Sequence, residues 1–119
     1  MDEKTPNILF IDEDQQFLNR VQGLLQSEDW NCHFVTSPSQ ALDFLKNNSV
    51  DLVVSEAKTT TMDGTQLVTA IRNLYPAIVR LFLTDLATQD DIVKALAEGQ
   101  VQQIIPKSSM DQELKEIIR

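Results

Sequence analysis

Ile8-Leu9-Phe10-Ile11-Asp12-Glu13-Asp14 decides the fold: four apolar residues run without a polar break and stop at three acids. A half-buried strand would alternate. An unbroken run suits a strand covered on both faces, as in parallel sheets. Asp51-Leu52-Val53-Val54-Ser55-Glu56 repeats the arrangement. An acid at the end of a buried strand points into a crevice. Two such strands suggest one acidic pocket.

Outward from these runs, strand and helix periods alternate. Asn7–Ile11 reads as the first strand. Residues 15–26 carry Phe17, Leu18, Val21, Leu24 and Leu25 at helical spacing, with Asp14 as N-cap. Residues 32–35 form a short strand. Ser37-Pro38-Ser39-Gln40 opens a helix: a Ser cap, Pro at the first position and Gln completing a capping box. That helix carries Ala41, Leu42, Phe44 and Leu45 and stops near Asn47-Asn48. Leu52–Ser55 is the third strand, and 57–63 a polar loop that includes Thr59-Thr60-Thr61.

Leu67, Val68, Ile71 and Leu74 mark the next helix, which Pro76 ends. Residues 78–83 are the fourth strand. Ile92, Val93, Ala95 and Leu96 form a stripe closed by Gly99. Residues 103–105 are the fifth strand. A last helix, opened by Ser108 or Ser109, carries Leu114, Ile117 and Ile118. Five βα units predict an α/β fold with a doubly wound parallel sheet and helices on both faces. Ligands of such sheets bind beyond the carboxyl ends of the strands. Asp12, Glu13, Glu56, Thr84 and Lys107 all fall there.

The composition fits one compact domain over 1–119. Its net charge of −8 opposes direct contact with nucleic acid or an anionic membrane. No apolar run approaches the roughly 20 residues that span a bilayer. The N-terminus has no secretory pattern, and the single cysteine, Cys32, excludes an intramolecular disulfide. A cytoplasmic protein is expected. Cys32 and His33 are adjacent on one strand, so they face opposite ways and read as structural.

Three acids, a hydroxyl and an ammonium on one rim need charge balance. Two like charges about 4 Å apart cost on the order of 4 kcal/mol at an effective dielectric near 20. A hard cation such as Mg²⁺, a shared proton or Lys107 would relieve that. Metal and lysine that balance charge, with a hydroxyl that binds a phosphoryl oxygen, can hold a phosphoryl group on a carboxylate.

At this point the chain resembles the receiver domain of two-component response regulators, over essentially its whole length. The resemblance is carried by residues 8–14 and 51–56, Met62-Asp63-Gly64, Leu83-Thr84, Ala97-Glu98-Gly99 and Lys107. It implies a three-layer α-β-α sandwich with a five-stranded parallel sheet of order 2-1-3-4-5, flavodoxin-like. It places Asp12 and Glu13 at the Mg²⁺-binding acids and Glu56 at the aspartate phosphorylated by a histidine kinase. Thr84 falls at the switch hydroxyl, Lys107 at the phosphate-contacting lysine and Ile104 at the second, commonly aromatic, switch position.

Five departures surround this site: Glu56 for Asp, Glu13 for the second Asp, Thr60 and Ser108 for prolines, and Asp85 for a small residue. A glutamate is one methylene longer than aspartate. A misplacement of roughly 1 Å can cost about a hundredfold in in-line chemistry. The expected function is therefore a degenerate receiver that signals by protein contacts and is not an enzyme. Its Mg²⁺ site, at Asp12, Glu13 and Glu56, is expected to be weak or lost. Lys107 is expected to pair with Glu56, whose charge would bias Thr84 and Ile104 toward an active-like state.

A working phosphoreceiver, with slow self-hydrolysis, is the alternative. A flavin or nucleotide binder fits least, because the acidic loop after the first strand would repel phosphate. Partners are a histidine kinase or an output domain, and a homodimer is compatible. The apolar stripe unfinished at Ile117-Ile118 suggests a domain cut from a longer chain with a C-terminal output module.

Overall fold

The computed structural model describes residues 5–58 and 63–118. Thr59, Thr60, Thr61 and Met62 lie outside the described residues. Five strands, β1 (Asn7–Ile11), β2 (Asn31–Val35), β3 (Leu52–Ser55), β4 (Val79–Thr84) and β5 (Gln103–Pro106), form one parallel sheet. Its order is β2-β1-β3-β4-β5. The helices are α1 (Gln15–Leu25), α2 (Pro38–Asn47), α3 (Gly64–Leu74), α4 (Asp90–Ala97) and α5 (Met110–Ile118).

The unbroken run of β1 is explained by its two covered faces. Ile8 and Phe10 pack in one core with Leu18 and Val21 of α1 and with Met110 and Leu114 of α5. Leu9 and Ile11 pack in the other with Ala41 and Leu45 of α2 and with Leu67 and Ile71 of α3. A third cluster joins Phe82 of β4 to Val68, Ile92, Ala95 and Val101 beneath α4. Cys32 packs on the first core while His33 lies against the Phe44 ring, 4.8 Å between centroids, so the two do face apart.

The caps follow the sequence with one adjustment. Asp14 accepts from Phe17 N at 3.2 Å and starts α1. Ser37 accepts from Gln40 N at 3.2 Å. The Gln40 side chain reaches past the cap residue to Thr36 N at 2.8 Å, so the box closes one residue early. Asp63 accepts from Thr65 N and Gln66 N at the start of α3. Gly99 ends α4 with φ 77, a left-handed conformation that glycine adopts without Cβ strain.

Two expectations need correction. The fourth strand runs over Val79–Thr84, one residue later than the apolar pattern, because its ladder with β5 extends to Thr84 and Pro106. The last helix is not opened by a serine cap. Lys107–Ser109 form a 3₁₀ turn, and the Ser109 hydroxyl donates to Pro106 O at 3.2 Å. On α4 only Ile92 and Ala95 are buried, whereas Val93 and Leu96 remain 45% and 40% exposed. The helix meets the sheet along one narrow line, and residues one position further round face away.

Candidate functional site: an acidic pocket closed by Lys107

β1 and β3 are adjacent in the sheet, with Ile11 in register with Ser55. The residue after each strand therefore emerges at the same rim: Asp12 after β1 and Glu56 after β3. Backbone bonds hold both turns, from Asp12 N to Val35 O at 3.2 Å and from Glu56 N to Ile11 O at 2.9 Å. Asp12 is 3% exposed and Glu56 6%.

Lys107, one residue past β5, reaches across β4 to both acids. Its Nζ donates to Oδ2 of Asp12 at 2.9 Å and lies 3.4 Å from Oε1 of Glu56. The pairing with Glu56 exists, but the shorter contact is to Asp12. Burial opposes the charged lysine. The hydrogen bond to Asp12 and the charge of Glu56 outweigh it, so the Lys107 pKa is raised. The remaining carboxylate oxygens are also used. Oε2 of Glu56 accepts from Ala57 N at 2.9 Å, and Oδ1 of Asp12 accepts from Asp14 N at 3.0 Å.

Thr84 is fully buried, and its hydroxyl accepts from Leu86 N at 3.0 Å. It thus ties down its own β4–α4 loop. Ile104 and Leu86 both pack against the cluster beneath α4. Glu13 is exposed. Asp85 and Ser108 are exposed as well, which accommodates their polar side chains. Thr60 lies outside the described residues.

Two contacts of the site do not follow from the sequence pattern. Phe17 belongs to the apolar stripe of α1, yet Lys107 Nζ stands 4.1 Å from its ring centroid. The Asp14 cap gave the register that could have placed it. Gly64 N donates to Ala57 O at 2.8 Å, and an added Cβ would clash with Glu56 O and stand 2.7 Å from Ala57 O. Only a glycine lets α3 begin this close to the Glu56 turn.

The family model described as "Response regulator receiver domain" matches residues 8–119. The chain belongs to the response regulator receiver domain family. It is 30% identical over 105 residues to the transcriptional regulatory protein ZraR of Escherichia coli K12, covering 88% of this chain and 24% of that protein. It is 31% identical over 93 residues to the heme response regulator HssR of Staphylococcus epidermidis, covering 78% of this chain and 41% of that protein. This receiver domain thus spans less than half the length of these relatives.

Among solved structures, the signal receiver domain of an HD domain-containing protein from Pseudomonas fluorescens Pf-5 superimposes with a TM-score of 0.90 at 35% identity. The alignment covers 100% of this chain and 88% of that one. A CheY-like receiver domain protein from Methanospirillum hungatei JF-1 shares the fold, with a TM-score of 0.86 at 23% identity over 97% of this chain and 91% of that one.

Receiver domains typically bind Mg²⁺ at the phosphorylation site. The residues of this chain do not fit the ion as arranged. The Lys107 ammonium already contacts both buried acids. The small cavity bordered by Asp12, Phe17 and Glu56 is otherwise lined by apolar side chains, among them Phe10, Leu18, Val54 and Leu83. Mg²⁺ demands octahedral oxygen ligation and keeps several waters. Among the described residues no group of three or more Asp, Glu, His or Cys side chains is placed to hold a metal.

Proposed function

We propose that this receiver domain is degenerate: it relays a signal through protein contacts, with Glu56 in place of a phosphorylated aspartate. The observation that supports this reading is the state of the Glu56 carboxylate. One oxygen accepts from Ala57 N and the other faces Lys107. An attacking carboxylate oxygen would have to leave one of these partners and, being one methylene further out, approach from a displaced position.

The domain works as the input part of a longer cytoplasmic response regulator, with a histidine kinase or an output domain as partner, and carries out no catalysis of its own. No helix among the described residues is long and apolar enough to cross a membrane. The net charge of −8 favours protein partners over direct contact with nucleic acid. A homodimer is compatible with this role. Incubation with acetyl phosphate and Mg²⁺, read by intact mass, tests the reading. No phosphoryl adduct is expected. An adduct on the native protein would replace it with the working phosphoreceiver, which the survival of Asp12, Thr84 and Lys107 would then explain.

A further inference from the structure

Lys107 is held by more than its two carboxylates. Its Nζ stands 4.1 Å from the centroid of the Phe17 ring, within the range of a cation–π contact. Asp12 and Glu56 give the ammonium two contacts and the ring gives a third. The position of the ring is set locally. Asp14 caps α1 through Phe17 N, which fixes Phe17 at the third helical residue, on the turn that leaves Asp12. Phe17 also packs against the core of Ile8, Phe10, Leu18 and Met110, so the ring is backed by rigid neighbours.

We propose that Phe17 is a positioning residue that fixes Lys107 as the resident cation of the Asp12–Glu56 pair and so keeps a hydrated divalent ion out of the site. A flexible lysine chain carries large rotamer freedom, and two carboxylates alone leave it free to swing toward solvent. A ring face beneath the ammonium restricts that swing and adds electrostatic attraction where water is sparse. The ring also lines the small, mainly apolar cavity that Asp12 and Glu56 border. An ammonium fixed between two acids supplies the charge balance that a metal would supply, with no water shell to house. The proposal deepens the degenerate-receiver reading by naming what excludes the ion. It has its own readout, because lysine mobility does not depend on whether Glu56 accepts phosphate.

The test measures hydrogen exchange of the Lys107 ammonium by NMR on the native protein, Phe17→Leu, Phe17→Tyr and Leu24→Ala. Leu24 lies on the same helix and packs on the same core, so its truncation controls for loosening of α1. Slow exchange is expected in the native protein and in Phe17→Tyr, which keeps a ring face. Phe17→Leu should exchange about fivefold faster or more, the scale of one cation–π contact. In Phe17→Leu the amides of Asp12 and Glu56 should also respond to Mg²⁺ at concentrations that leave the native spectrum unchanged. Exchange in Phe17→Leu equal to native would overturn the proposal. So would equal acceleration in Leu24→Ala or Phe17→Tyr, or a native response to Mg²⁺ as strong as that of Phe17→Leu. A phosphoryl adduct on the native protein, by contrast, would remove the degenerate reading and leave the exchange result standing.

Discussion

The ammonium of Lys107 donates to Oδ2 of Asp12 at 2.9 Å across 95 residues of sequence, and this contact ties β5 to β1 over the mouth of the sheet. Glu56 joins at 3.4 Å. Its extra methylene has not carried it away from the lysine; the lysine instead stands nearest the shorter acid.

Replacing Lys107 with Met should destabilise the domain by about 1–3 kcal/mol, because two buried carboxylates lose their shared cation. The effect should depend on pH. The folded pKa of Lys107 is raised, so its contribution is complete below the ordinary lysine value of 10.5 and fades as pH rises through the higher folded value. Urea midpoints of native and Lys107→Met protein should therefore differ at pH 7 and converge above about pH 10.5.

Glu56→Asp should allow partial phosphorylation by acetyl phosphate in the presence of Mg²⁺. The shorter carboxylate leaves room before Lys107, and Thr84 and Lys107 remain. Recovery should be incomplete because Glu13, Asp85 and Ser108 still depart from the receiver pattern. Intact mass and a phosphate-release assay measure it. An unmodified Glu56→Asp protein would show that the block lies elsewhere in the site.

Gly64→Ala should cost at least about 1–3 kcal/mol, since its Cβ must displace the backbone carbonyls of Glu56 and Ala57. Neither carbonyl is a flexible chain end that can swing aside. Thermal unfolding measures the loss. An NMR spectrum in which the Ala57 amide is unchanged would contradict the predicted shift of the Glu56 turn.

Glu56→Gln should move the NMR resonances of Thr84 and Ile104 if the Glu56 charge biases the switch. The route is physical: Thr84 holds Leu86 by its N–H, and Leu86 and Ile104 share the α4 cluster. Removing one negative charge lets Lys107 settle on Asp12 alone, and any resulting change at Thr84 would pass to that loop. Shifts confined to the neighbours of position 56 would show that the carboxylate does not drive the switch.

The order of elements, the two-faced burial of β1 and the gathering of Asp12, Glu56, Thr84 and Lys107 at the strand ends were legible in the chain. These depend on local patterns: apolar runs, cap residues, and the rule that βα units align their carboxyl ends. The exposure of Val93 and Leu96 was not legible, because an apolar stripe does not say how wide a helix–sheet contact will be. Nor was the choice of Asp12 over Glu56 by Lys107, the ring of Phe17 beneath its ammonium, or the fit of Gly64 against the Glu56 carbonyl. Those contacts join residues far apart in sequence at distances of a few ångströms. Sequence periodicity sets which face a side chain takes; only the packed sheet and its helices decide which neighbour it meets there.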